Sequence, residues 1–249
     1  MTNTLPNLKV ESILLPKGCI VCGDPARAKS IASQLENHKQ IAQNREYHTY
    51  SGTWNGVEIG VVSHGVGAPG AAVCFEELIQ GGVETLIRVG TAGSYQDKII
   101  PGSLVISTAS ARCDGLTSQL VPQGFPAVAD RCIIEALSKA GSEFSKEMLI
   151  HEGITLTLDA FYSGVLEFPH EIYKRAGILA VEMENAALFV IAALRGVRAG
   201  AILAIDGYAD SNLRENYNPH TEIVNKAVIA ETKIALNALA QIIKDANVT

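Results

Sequence analysis

Short apolar runs that end in glycine, arginine or an acid recur along this chain, and they restrict what it can fold into. Cys19 to Cys22 runs into Gly23-Asp24-Pro25-Ala26-Arg27, Thr85 to Val89 into Gly90-Thr91-Ala92-Gly93-Ser94, and Ala199 to Ile205 into Asp206-Gly207. Runs of four to eight residues rich in branched side chains are the signature of strands buried on both faces. Helical patterns alternate with them, and no repeat, linker or low-complexity tract divides the sequence. The expected fold is therefore one α/β domain over residues 1–249, a central mixed β-sheet flanked by helices, with functional residues at the strand ends.

The spacing predicts a helix from Pro25 to about Leu35, capped by Asp24. A loop carrying Asn44-Arg45-Glu46-Tyr47 leads to strands at Tyr50–Trp54 and Val57–Ser63, joined by the turn dipeptide Asn55-Gly56. Further on, helices are expected up to Gln80 and over Ile133–Ala140, and strands at Ser103–Ser107 and Gly153–Leu158. The stretch through Pro126 reads as a Gly/Pro-rich loop, Asp210–Pro219 as a polar loop and Thr221–Lys244 as an amphipathic helix.

Hydrophobic residues make up 47% of the chain and charged ones 18%, which marks a globular protein and not a disordered one. With a net charge of −6 and no Lys/Arg-rich run, the footprint of a nucleic-acid binder is missing. No apolar run is long enough to span a membrane, so the chain reads as soluble and cytoplasmic. The odd count of five cysteines fits free thiols in a reducing compartment. Cys19 and Cys22 match a C-x-x-C pattern, but i and i+3 of a strand face opposite ways and no second Cys/His pair answers them, so no metal site is expected.

Around residue 180 two acids sit between apolar runs, a branched one before Glu182-Met183-Glu184 and an Ala/Leu-rich one from Ala186 to Leu194. On an extended segment Glu182 and Glu184 point to the same side and share one cavity. The alternative is that both are first-turn acids favoured by the helix dipole. Gly65-x-Gly67-x-x-Gly70 matches the dinucleotide fingerprint, yet the next strand ends in Arg88-Val89-Gly90 where that fold needs an acid for the ribose, so a smaller ligand fits better. Arg27 and Arg88, both beside glycine-rich strand ends, have the fork geometry that grips phosphate.

These segments together resemble the purine nucleoside and uridine phosphorylase superfamily of the trimer-or-hexamer type, with particular likeness to apicomplexan purine nucleoside phosphorylases. The resemblance spans nearly the whole chain. It is carried by Gly23-Asp24-Pro25-x-Arg27, Asn44-Arg45-Glu46-Tyr47, Ser63-His64-Gly65-Val66-Gly67, Glu76-Glu77-Leu78, Arg88 to Ser94, Gly124 to Val128, Val181-Glu182-Met183-Glu184 and Ile205-Asp206-Gly207. It implies a nucleoside phosphorylase fold and cleavage of ribonucleosides by inorganic phosphate, a co-substrate, with no cofactor. Phosphate would be held by Gly23, Arg27, Arg88 and Thr91, with Arg45 reaching in from a neighbouring subunit of a homo-oligomer. Val66, Met183, Glu182 and Glu184 would border the ribose. Ala92, Gly93, Phe161, Tyr162, Val181 and Asp206 would lie near the base, and Asp206, Glu184 and Arg88 would carry the catalysis.

One departure is Asn7, which stands where the family usually places a histidine for the neighbour's ribose 5′-hydroxyl. Uridine phosphorylase is the main alternative, but that branch reads uracil with a Gln-x-Arg pair, and Phe161 to Glu167 holds neither residue. Asp206 suits a purine, whose N7 takes up a proton as the base leaves. A silent nucleoside-binding protein is the remaining alternative, and it predicts binding without phosphate-dependent turnover.

Overall fold

The computed structural model describes residues 4–209 and 220–246. The expected loop Asp210–Pro219 lies outside the described residues.

In chain order the elements are β1 (Gly18–Cys22), α1 (Pro25–Ala32), β2 (Glu36–Asn44), β3 (Tyr47–Trp54), β4 (Val57–Ser63), α2 (Ala68–Gln80) and β5 (Thr85–Ser94). Then follow β6 (Leu104–Cys113), α3 (Gly115–Leu120), β7 (Ala127–Val128), α4 (Arg131–Gly141), β8 (Ile150–Leu158) and α5 (His170–Arg175). The last elements are β9 (Ala180–Glu182), α6 (Asn185–Arg195), β10 (Arg198–Tyr208) and α7 (Glu222–Ala246). They form one mixed sheet in the order β10-β6-β8-β9-β5-β1-β4-β3-β2, and β10 also pairs with β5, closing five of the strands into a ring.

The β1 strand shows why the sheet has two covered faces. Ile20 and Cys22 enter a core with α1, α4 and α7, whereas Cys19 and Val21 enter a second core with α2 and α6. Cys19 and Cys22 thus serve opposite cores as small apolar residues, as the alternation of a strand requires. The strands β4, β1, β5 and β10 run parallel, so their C-terminal ends open on one edge of the sheet.

Three sequence expectations need correction. The segment Gly90–Ser94 does not close β5 but continues it, pairing with β10 up to Ser94. Gly90 leaves room for the Arg88 guanidinium, since an added Cβ would sit 3.0 Å from Nη2. The loop expected at Asn44–Tyr47 is instead the tight turn between β2 and β3, and β2 itself carries no strand signal because its residues are all exposed or half-buried and show no alternation. The strand β6 extends well past Ser107, and the loop after it contains α3, capped by Asp114 through the Thr117 N–H at 2.6 Å.

The N-terminal segment is held by a buried carboxylate. Glu77 on α2 accepts hydrogen bonds from the Asn7 backbone N–H at 2.9 Å, the Asn7 Nδ2 at 2.6 Å and the Leu8 N–H at 2.8 Å. Removing that acceptor leaves the buried Leu8 N–H unpaired, at a cost of about 1–3 kcal/mol. Glu77→Ala is therefore expected to lower the melting temperature by several degrees and to speed amide exchange at Asn7 and Leu8. Unchanged protection of those two amides would contradict this anchoring.

Candidate active site

The parallel strand ends meet at a cavity of about 680 Å³, within the range of small-molecule sites. Gly23 follows β1, and the Asp24 side chain accepts from the Ala26 N–H at 2.8 Å, with Pro25 as first residue of α1. This cap turns Arg27 towards the cavity, which it lines. Gly23 and Gly65 are joined by a backbone hydrogen bond of 3.0 Å, and a Cβ on Gly23 would meet the Gly65 carbonyl at 3.2 Å. That close approach favours glycine.

Arg88 is the centre of the charge network. It is buried, 4% exposed, at the middle of β5. Its Nη2 is ion-paired with Glu184, its Nη1 lies 3.2 Å from Glu182 Oε2, and Nη1 donates to Asn185 Oδ1 at 3.0 Å. Its Nε has no hydrogen-bond partner among the described residues.

The two acids divide the roles the sequence left open. Glu182, the last residue of β9, accepts from the backbone N–H of Glu184 at 2.7 Å and of Asn185 at 2.8 Å, and from Thr157 Oγ1 at 2.5 Å. It is the helix-capping acid of α6. Glu184, at the N-cap position, makes no cap; its Oε1 instead accepts from the Gly67 N–H at 2.6 Å. Gly67 has φ of 93°, so the glycine motif turns an amide onto a carboxylate where a dinucleotide fold would meet a pyrophosphate. Burial pushes the Glu184 carboxyl up, but Arg88 and the Gly67 N–H outweigh it and hold it below the ordinary value. For Glu182 burial dominates over Arg88, and its carboxyl is raised.

His64 lies behind these groups, fully buried, with Nδ1 2.8 Å from the Gly65 carbonyl. Burial lowers its pKa to about 4, so the ring is neutral around pH 7 and its Nδ1–H donates to that carbonyl.

Asp206, 6% exposed, reaches the same cavity from β10. The pairing with β5 slips between Ile205 and Gly207. The bulged residue is re-aimed out of the regular alternation.

Of the residues singled out in the sequence, Gly23, Arg27, Val66, Arg88, Thr91, Ala92, Gly93, Phe161, Val181, Glu182, Met183, Glu184 and Asp206 all line this cavity. Tyr162 does not: it is 69% exposed, packed edge-on against Phe161 with ring centroids 5.0 Å apart. Arg45 is exposed at the turn between β2 and β3, outside the cavity. Asn44 Nδ2 donates to the Asn7 carbonyl at 2.7 Å, which places Asn7 and that turn in one corner. Glu46, Phe168, His170 and Tyr208 also line the cavity. Glu46 belonged to a quoted motif, but nothing in the spacing marked His170, whose Nδ1 lies 2.7 Å from Tyr95 Oη.

The cavity joins two arginines to buried acids at the ends of parallel strands, an arrangement of charge suited to an anion beside a polar organic molecule. Residues 17–245 match the family described as "Phosphorylase superfamily", and the chain belongs to that family as a nucleoside phosphorylase. It is 35% identical to a purine nucleoside phosphorylase of Plasmodium falciparum, over 97% of this chain and 98% of that one. It is 38% identical to a uridine phosphorylase of Treponema pallidum, over 76% of each chain. The purine nucleoside phosphorylase of Toxoplasma gondii, solved with immucillin-H, superposes with a TM-score of 0.93 at 30% identity, covering 98% of both chains. Among the described residues no helix is long and apolar enough to cross a membrane.

Proposed function

We propose that this enzyme cleaves purine ribonucleosides, inosine and guanosine above all, with inorganic phosphate, giving the free base and ribose 1-phosphate. The observation that carries this reading is Asp206, a buried acid set by a β-bulge into the same cavity as Glu184 and the two arginines. Gly23, Arg27, Arg88 and Thr91 hold the phosphate. Glu184, fixed by Arg88 and Gly67, faces the ribose, with Val66, Met183 and Glu182 beside it. Ala92, Gly93, Phe161 and Val181 border the base, and Asp206 supplies a proton or hydrogen bond to N7.

The likeness to uridine phosphorylase favours a second reading, uridine phosphorolysis. Against it stand Asp206, a group of the wrong sign for charge growing on the uracil oxygens, and the segment Phe161–Glu167, which lacks the Gln-x-Arg pair. Arg45, exposed and outside its own cavity, completes the phosphate site of a neighbouring copy in a trimer or hexamer, with Asn7 beside it in place of the histidine. Five free cysteines suit a cytoplasmic enzyme of this kind.

The test is the rate of phosphate-dependent cleavage measured side by side on inosine, guanosine, adenosine and uridine. The 6-oxopurine nucleosides should be cleaved faster than uridine. Uridine cleaved faster than inosine would overturn the purine assignment in favour of the second reading.

A further inference from the structure

Glu231 stands on α7 among Ala227, Ala230, Ile234 and Ala235, all buried in one apolar core. It is 0% exposed, and among the described residues neither carboxylate oxygen has a partner at full hydrogen-bond geometry, the Ala204 and Gly90 backbone N–H groups giving only weaker support. A carboxylate so placed costs stability, and a leucine there would serve the helix better. Its presence calls for a task that the fold itself does not set.

The group it meets is Arg27, whose Nη1 lies 3.8 Å from Glu231 Oε1. Arg27 makes no hydrogen bond to the described residues, so this ion pair is what fixes its long side chain. Arg88, by contrast, is gripped by Glu182, Glu184 and Asn185. We propose that Glu231 is a positioning residue for phosphate, holding the Arg27 guanidinium at the cavity wall without touching substrate. Ordering an arginine in advance removes the entropy that phosphate would otherwise have to spend on it. Burial pushes the Glu231 carboxyl up to about 8 against the pull of Arg27 and Arg88. In either protonation state a carboxyl oxygen of Glu231 faces the Arg27 guanidinium.

The inference rests on the reading that Arg27 helps to hold phosphate, and the test separates the two. Phosphate and inosine Michaelis constants and kcat are measured for Glu231→Leu, Glu231→Gln, Arg27→Ala and the double variants. Glu231→Leu should raise the phosphate KM about tenfold, the usual worth of one charge-assisted contact. Its kcat at saturating phosphate and its inosine KM should stay within about twofold of wild type. Glu231→Gln, which keeps the shape and one acceptor oxygen, should show a smaller rise in the same constant. Neither change should add anything in the Arg27→Ala background, whereas a merely structural role would persist there and move kcat and inosine KM together. If Glu231→Leu does not fold, Glu231→Gln and its double variant decide by the same criterion. A phosphate KM unchanged or lowered by the Glu231 variants, with Arg27→Ala raising it, overturns the positioning role alone. Arg27→Ala leaving the phosphate KM at the wild-type value overturns the phosphate site beneath it.

Discussion

Asp206→Asn is expected to lower inosine turnover by roughly 10²–10⁴-fold, the usual loss on removing a general acid. The purine must gain a proton or a strong hydrogen bond at N7 as the glycosidic bond breaks, and Asn donates only a weak neutral one. Because the bulge at Ile205/Gly207 fixes the side chain direction through the backbone, Asn should occupy the same place, and the fold should be unaffected. The loss should therefore fall on kcat, with a much smaller change in inosine binding. Full inosine turnover by the variant would remove Asp206 from the chemistry.

Arg88→Ala should have the largest effect on the molecule as a whole. Glu182 and Glu184 would be left buried and facing each other without a cation, and breaking a buried pair in this way costs about 3–5 kcal/mol. Activity at any attainable phosphate concentration should fall at least about a hundredfold, because the phosphate grip and the placement of Glu184 are lost together. The acid response should change as well. In the wild type the Glu184 carboxyl sits below its ordinary value of 4.5 in the folded state, so its stabilising contribution is present above that value. It is lost as pH falls through the lower folded value. In Arg88→Ala the main opposing charge is gone, burial raises the carboxyl, and this acid-linked loss should vanish. Denaturant melts of both proteins from pH 7 downwards read the difference. Parallel pH curves would contradict the assignment of Arg88 as the counter-charge.

The strand ends that build this site were legible because burying β1, β5 and β10 on both faces demands apolar runs, and a polar residue closing such a run stands out. Arg88 was visible for that reason, and Asp206 likewise. The glycine motif was visible as a pattern, but its use was not: the sequence could not tell that Gly67 aims its amide at Glu184. Glu182 and Glu184 looked equivalent by spacing, and only the turn into α6 made one a cap and left the other for the cavity. Polarity hid other parts. Ser107 and Ser110 on β6 bond Thr155 and Thr157 on β8, each at 2.8 Å, and the polar residues past Ser107 made the second half of β6 look like loop. A lone acid in a long amphipathic helix reads as solvated, so Glu231 gave no signal before Arg27 was found beside it. Arg45 and Asn7 gave a signal only through the family likeness, since their task, if it is to serve a neighbouring copy, leaves no trace in the spacing of one chain.

Phosphate and nucleoside have to meet in one cavity, and the sugar product reports on this most directly. Inosine is incubated with the enzyme in phosphate and in phosphate-free buffer, and the products are followed by phosphorus and proton NMR. With phosphate, hypoxanthine and ribose 1-phosphate should appear in equal amounts, and without it cleavage should stop. Hypoxanthine released at the same rate in both buffers, accompanied by free ribose, would show that water is the nucleophile and that the arginines do not hold phosphate for the reaction.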